Sequence, residues 1–374
     1  MCLAPPDFKG KEYTHFEPAT TLPWRKHFSS LLLSADVVNT AIEVTFLLAL
    51  TIAAYASPGA FDVPGSMRLS QLVAFLTACS AMRRVYNAYL EAVYFTFPGR
   101  RIQPAAEHAL KARRDLNGRD EEQLKSLVYH DRMTLLTQLA LVMTLYYGVP
   151  GFYPADSSPR ADAPVYVRLL RLIAHHYLLS FGMYWAHRSL HVVPPLWKHI
   201  HSIHHWAKHP LSRNTYQDHW ADNFGNALVG DMAAQILIPL DPACFWFSRL
   251  FRIMESLEKH AGVSGVTNLA HSMQRWLPFA QMPHHHDWHH EGHKGCNFTF
   301  AALGGLWDCL FGTRKAGRAM RHPSSATRQD TNAAESPLSS WFGKIENPAV
   351  VLTPVVGVLG FAALKLHRSS FSIA

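Results

Sequence analysis

The sequence predicts an all-α integral membrane bundle of about four transmembrane helices, with a cytosolic helical cap that holds a histidine-rich di-metal site. Three observations lead there. Several apolar stretches are long enough to enter a bilayer, Lys and Arg gather on one side of them, and the histidines cluster at helical spacing.

Composition narrows the classes. The chain has 374 residues, 48% hydrophobic and 17% charged, with a net charge of +8. Lys and Arg flank apolar segments instead of alternating with aromatics, which fits an anionic membrane surface and argues against nucleic acid. Five scattered cysteines without a CxxC pair are no disulfide framework, so reduced thiols are expected. Residues 1–30 are polar and lack the apolar core of a cleaved signal, so they read as a cytosolic N-terminal segment.

Residues 31–164 read as the transmembrane region. LLLSADVVNTAIEVTFLLALTIAAYA (31–56) is the strongest span, with Glu43 its one blemish. LSQLVAFLTACSAM (69–82) is short, stopped by Arg83 and Arg84, and continues as an interfacial helix through YLEAVYFTF. MTLLTQLALVMTLYYGVPGFY (133–153) ends in an aromatic belt, and VYVRLLRLIAHHYLLSFGMYW (165–185) carries two internal arginines. NALVGDMAAQILIPLDPACFWF (226–247) breaks at Pro239 and Pro242 and reads as a hairpin dipping into the membrane. For each stretch a buried core helix is the alternative. Basic residues crowd 99–132, whereas 58–67 has none and 151–164 only Arg160, so the N-terminus, the 99–132 loop and the chain after Trp185 share the cytosolic side. Residues 316–347 read as a polar linker, and 348–374 as a C-terminal apolar helix and tail with no assigned role.

The histidines carry the chemistry. Sixteen of the 24 lie between His187 and His293. HRSLH supplies His187 and His191, HSIHH supplies His201, His204 and His205, and HDWHH supplies His286, His289 and His290. Positions i, i+3 and i+4 share a helix face, so each cluster aims two or three imidazoles at one point. Neutral imidazole is a common ligand for first-row metals. Eight such residues exceed one zinc site, whereas two ions of five or six coordination use them all. HExxH is absent, so a zinc peptidase is not indicated, and nitrogen-rich ligation points to paired non-haem iron. His175 and His176 read as hydrogen-bonded packing, and His199, His209, His271, His284 and His293 as groups away from the metal. Asp287 either accepts from an imidazole N–H or is a helix N-terminal charge. A zinc-binding membrane protein, transporter or hydrolase, is the rival class; it is disfavoured because the boxes fall outside the best spans.

HRSLH, HSIHH and HDWHH, in that order, resemble the three histidine boxes of the fatty acid hydroxylase/sterol desaturase superfamily. GGLWDCLFGT (304–313) resembles the WDxxFGT that closes those domains. The resemblance covers about residues 165–315 and implies a membrane di-iron oxygenase. Such an enzyme inserts one oxygen atom of O₂ into an unactivated lipid C–H, or desaturates it. Two irons per chain and electrons from NAD(P)H through a cytochrome b5-type carrier and its reductase are implied with it. So is an endoplasmic reticulum membrane, with the site on the cytosolic side. ESLEKHAG (255–262) is similar to the E-x-x-D-x-H-S-G element of 4-methylsterol oxidases, which adds His260 as a ligand, with Glu258 for Asp and Ala261 for Ser. YQDHWAD (216–222) is similar to their Y-x-x-H-P-x-E, with His219 matching as a possible ligand and Trp220 and Asp222 departing. His285 matches their doubled histidine and is implied as a ligand. A 4-methylsterol is the favoured substrate; sphingoid-base and fatty acid hydroxylases of the same superfamily are the alternatives.

Overall fold

In the computed structural model the described residues are 35–97 with short gaps, 101–102, scattered positions of 125–140, 163–314 with short gaps, and 347–371. Helices form nearly all of their regular structure. They are α1 (Ala35–Ala56), α2 (Leu69–Thr96), α3 (Val165–Val192), α4 (Pro194–His199), α5 (Trp220–Asn226), α6 (Ala233–Leu237), α7 (Pro242–Lys259), α8 (Leu269–Gln274), α9 (Pro283–His290), α10 (Gly305–Leu310) and α11 (Pro348–Phe371). Two 3-10 turns (His201–Trp206 and Ser212–Tyr216) and a π-helical turn (Ala227–Met232) complete the set.

The apolar, nearly charge-free runs 35–56 and 348–365 become single helices, as their composition favours. Residues 69–96 also form one unbroken helix, which runs past Arg83 and Arg84 into the YLEAVYFTF continuation that the sequence suggested. The reason is packing: the Arg83 guanidinium lies over the Tyr216 ring, 3.8 Å from its centroid, so the charge finds a partner without ending the helix. The expected span at 133–153 falls almost wholly outside the described residues.

α7 is the central helix. Asp241 caps it, accepting from the Cys244 N–H at 3.2 Å, and Pro242 opens it at N1. Its aromatic face meets α1 and α2: Phe75 stacks on Phe245 at 5.5 Å and Phe46 lies 5.9 Å from Phe247. Farther along, the Tyr86 hydroxyl donates to Glu258, so α2 and α7 run in the same direction. α3 does too: Arg168 forks onto the Asp241 carboxylate at 3.0 and 2.8 Å, and the Arg252 guanidinium reaches Met183 Sδ at 3.6 Å, near the other end. The chain from α5 through the π turn to α6 descends the bundle and α7 climbs back. The turn falls at 238–241, where the prolines placed the break.

α11 packs antiparallel on α3. Ser189 Oγ donates to the Val351 carbonyl at 3.4 Å, whereas Lys365 Nζ donates at 3.0 Å to Leu237 O, beside the Ile238 carbonyl that accepts from His175. Val351 to Lys365 and Ser189 to His175 are the same interval, so the helices keep register along their contact. Its inner residues Val351, Val358 and Ala362 are buried and its outer Val350, Val356, Phe361 and Leu364 exposed. α1 and α3 likewise expose large apolar residues, among them Leu48, Ile52, Leu170 and Ile173. Among the described residues, one helix segment, Pro348–Lys365, is long and apolar enough to cross a membrane by length and composition alone.

Where α3 crosses the π turn the helices nearly touch. A Cβ on Gly182 would lie 2.2 Å from the Val229 carbonyl oxygen, and one on Gly230 would lie 2.4 Å from Met183 Cγ. Two glycines on facing elements let the backbones approach. That contact sets how the descending arm delivers α5 to the His187 end of α3.

Candidate metal centre

Nine imidazoles converge where the ends of α3 and α7 meet the His201–Trp206 turn and α9. They form two groups. His187, His191, His201, His205 and His289 make the first; His204, His260, His286 and His290 make the second; within each, the ligand nitrogens all lie within 4.8 Å of one another. Helix geometry explains the sorting. Adjacent residues diverge by about 100° on an α-helix and about 120° on a 3-10 turn, so His204 and His205, like His289 and His290, face opposite groups. Each i, i+4 pair (His187/His191, His201/His205, His286/His290) serves one group, and the middle histidine of each HxxHH reaches across to the other.

Five of the outer nitrogens are fixed. Nδ1 of His187 donates to Phe298 O at 2.5 Å, that of His289 to Cys296 O at 2.6 Å, that of His260 to Ser256 O at 2.9 Å, and that of His290 to Ala207 O at 3.1 Å. His201 Nδ1 meets the buried Asp222 carboxylate at 2.6 Å, and Asn226 Nδ2 donates to its other oxygen at 2.7 Å. A carbonyl only accepts, so Nδ1 carries the proton and Nε2 presents a lone pair inward.

Those lone pairs face one another. The Nε2 atoms of His187 and His201 are 3.0 Å apart, those of His204 and His260 3.1 Å, and those of His260 and His286 2.9 Å. Two acceptors at such separations repel unless a cation lies between them. With a metal–nitrogen bond of about 2.1 Å, ligands at right angles sit about 3.0 Å apart and tetrahedral ones about 3.4 Å. With the pairs at 3.2 Å (His187/His191, His201/His205 and His286/His290), the separations fall in the range of nitrogens that share a metal, so the residues present fit a pair of transition metals. Burial first, then neighbouring histidines, holds His187, His191, His204, His205, His286 and His290 well below the usual imidazole range, and burial lowers His260 to about 4. Neutral rings are the ligating form.

The other expected residues lie elsewhere. His285, expected as a ligand, is buried but outside both groups; one residue before His286, it points about 100° away on α9 and packs its ring on His284, centroids 4.1 Å apart. His219 caps α5, its Nδ1 accepting from Ala221 N at 3.1 Å, and its ring lies 4.5 Å from that of His130. Asp287 is buried on α9 and belongs to neither group. His271, fully buried, pairs with Glu258, which also accepts from the Ala270 and His271 N–H groups at 2.9 and 3.0 Å. His175 donates to Ile238 O or, through its other nitrogen, faces Arg249 at 3.5 Å, away from both groups.

Asp222 is the functional residue that sequence reasoning passed over. Its signal was its place in YQDHWAD, where the similar pattern carries Glu. A carboxylate accepting from a ligating imidazole fixes the ring and raises its basicity. Asp222→Asn is expected to weaken metal binding at the first group about 10- to 100-fold with little change in unfolding temperature. Metal titration of the purified protein checks this; unchanged affinity would contradict it.

The fold and this centre define a class: helical proteins with a buried polyhistidine centre whose two groups could each hold a metal ion. Residues 172–313 match the family described as fatty acid hydroxylase. The chain is 28% identical over 199 residues to a Dictyostelium discoideum protein named a methylsterol monooxygenase (52% of this chain, 70% of the relative). It is 29% identical over 150 residues to a very-long-chain aldehyde decarbonylase of Oryza sativa subsp. japonica (40% and 47%), and 25% identical over 193 residues to a methylsterol monooxygenase of Arabidopsis thaliana (51% and 62%). No solved structure matches the chain. Two of these relatives are monooxygenases by name, and this likeness together with the family match supports an oxidoreductase.

Proposed function

We propose that this protein is a membrane-embedded non-haem di-iron oxygenase that hydroxylates an unactivated C–H of a lipid, with a 4-methylsterol favoured over a sphingoid base or fatty acyl chain. The observation that carries the reading is the pair of buried imidazole groups whose ligand nitrogens converge within 4.8 Å of one another. The nine grouped histidines would hold two irons, which when bound supply the activation of O₂. The overall reaction is R–H + O₂ + 2 e⁻ + 2 H⁺ → R–OH + H₂O, with electrons from NAD(P)H through a cytochrome b5-type carrier. The chain's own residues fix the geometry. Asp222 and the carbonyls of Phe298, Cys296, Ser256 and Ala207 orient the rings, while Phe298, edge-on to His187 at 5.9 Å, and Trp197, 5.0 Å from His191, wall the groups from water. An apolar wall also protects the protein by holding the target carbon, and nothing else, near the metals.

The membrane part of the proposal rests on length and exposed surface. His187 and Arg168 are about 29 Å apart along α3, close to the roughly 30 Å hydrocarbon core. The exposed apolar faces of α1, α3 and α11 suit lipid. The 238–241 turn then lies at the far membrane face and the metal centre at the cytosolic one, in the endoplasmic reticulum. Because α11 runs antiparallel to α3, residue 369 is expected opposite the metal centre. In sealed microsomes, cysteines introduced at positions 155 and 369 should resist an impermeant maleimide and one at 118 should react. The reverse pattern would invert the topology.

The substrate is tested by deleting the gene and profiling sterols and sphingolipids by mass spectrometry. Accumulated 4-methylsterols are expected. Normal sterols with a loss of hydroxylated sphingoid bases or fatty acids would overturn the substrate while keeping the oxygenase, and an unchanged lipid profile would overturn both.

A further inference from the structure

We infer that residues 296–299 form a strap that orients the first metal group, and that Asp308 is the positioning residue that holds the strap in register. The inference rests on the two-metal reading and gives the WDCLFGT ending a specific task in it.

Three successive backbone N–H groups of the strap are taken by that ending. Asn297 N donates to Thr313 O at 2.8 Å, Phe298 N to Asp308 Oδ1 at 2.9 Å, and Thr299 N to Asp308 Oδ2 at 2.9 Å. With its N–H groups committed to one side, the strap turns two carbonyls toward the metal centre. Cys296 O accepts from His289 Nδ1 and Phe298 O from His187 Nδ1, at 2.6 and 2.5 Å. Both rings belong to the first group. The two carbonyls are two residues apart. Asn297 sits between them at φ 51°, in the left-handed region that Asn tolerates better than most residues, and its Nδ2 ties the strap to α9 through His285 O at 3.1 Å.

Asp308 is itself held. Thr313 Oγ1 donates to Asp308 Oδ1 at 2.7 Å and lies 3.0 Å from the Tyr184 hydroxyl, which accepts from Arg188 at 3.0 Å. The Thr313 and Arg314 N–H groups close on the Asp308 carbonyl at 2.8 and 2.9 Å, so α10 and the FGT turn form one clasp. Asp308 is fully buried. It touches no metal ligand; it acts through the strap's backbone.

The effect is confined to one group. In the second, His260 and His290 are oriented by Ser256 O and Ala207 O, which lie outside the strap. Loss of the Asp308 carboxylate therefore loosens His187 and His289 and leaves His204, His260, His286 and His290 in place. A general folding defect would weaken both groups alike.

The test is a Co²⁺ titration of the purified full-length protein in detergent, read by absorption and by bound metal per chain. Wild type is expected to bind two ions. Asp308→Ala is expected to keep one at wild-type affinity and to weaken the other about 10-fold or more. Asp308→Asn puts an amide donor where a carboxylate oxygen receives an N–H, and should shift the same ion less. If Asp308→Ala does not fold, Thr313→Val, which removes only the hydroxyl that steadies Asp308, is expected to weaken that one ion by a smaller factor. Two ions at wild-type affinity in these variants, or equal weakening of both, would overturn the strap's role. A wild type that binds fewer than two ions would instead overturn the two-metal reading beneath it.

Discussion

Replacing His289 with alanine is expected to abolish oxygenase activity while the protein still inserts into membranes. His289 is the contribution of the third box to the first group; without it five imidazoles become four, and Cys296 O loses the N–H that it accepts. An orienting partner outside the ligands is worth about 10- to 100-fold, so deleting a ligand should cost more than that. His204→Ala is expected to do the same from the other side, because it is the second box's one arm in the second group. Neither residue belongs to the apolar clusters that hold the bundle together, so membrane extraction and chromatographic behaviour should match wild type. Most activity retained in both variants would contradict the assignment.

A second large effect is expected far from any histidine. Gly182→Ala places a methyl 2.2 Å from the Val229 carbonyl oxygen, a backbone atom that cannot swing aside. α3 must then separate from the π turn, at a cost of about 1–3 kcal/mol or more. The shift would be carried both to His187, five residues along α3, and to Asp222 at the head of the descending arm. Unfolding temperature and metal affinity should fall together. Gly225→Ala is the control, since a Cβ there meets nothing within 4 Å and alanine favours the helix. Equal behaviour of the two variants would show that the close approach is not limiting.

The metal centre was the most legible part of the sequence, for a physical reason. Ligands spaced i, i+3 and i+4 advertise a shared helix face, so eight of the nine grouped histidines are visible as boxes; the ninth, His260, came from a resemblance. The division of labour inside each box was not legible, because it depends on which way neighbouring helices approach. His285 shows the limit: a resemblance to a doubled histidine implied it as a ligand, yet its position on α9 leaves it outside both groups. The acceptors that orient the rings were largely invisible, since four of the five are backbone carbonyls, which no residue type announces. Asp222 alone left a trace. For the fold, Pro239 and Pro242 marked the hairpin turn correctly because proline cannot continue a helix. The helix was expected to continue past Arg83 and Arg84, but the ring that receives the Arg83 charge was not legible, because Tyr216 lies more than a hundred residues away in sequence. The C-terminal helix showed its apolarity but not its place beside α3, which only long-range contacts define.

The most direct test is the metal content of the protein purified from its own membranes under mild detergent, measured by elemental analysis against quantified protein. About two irons per chain are expected, falling well below two in His204→Ala and His289→Ala. A single metal per chain, zinc in place of iron, or a wild-type iron content unchanged in both variants would contradict a di-iron centre held by these two groups of histidines.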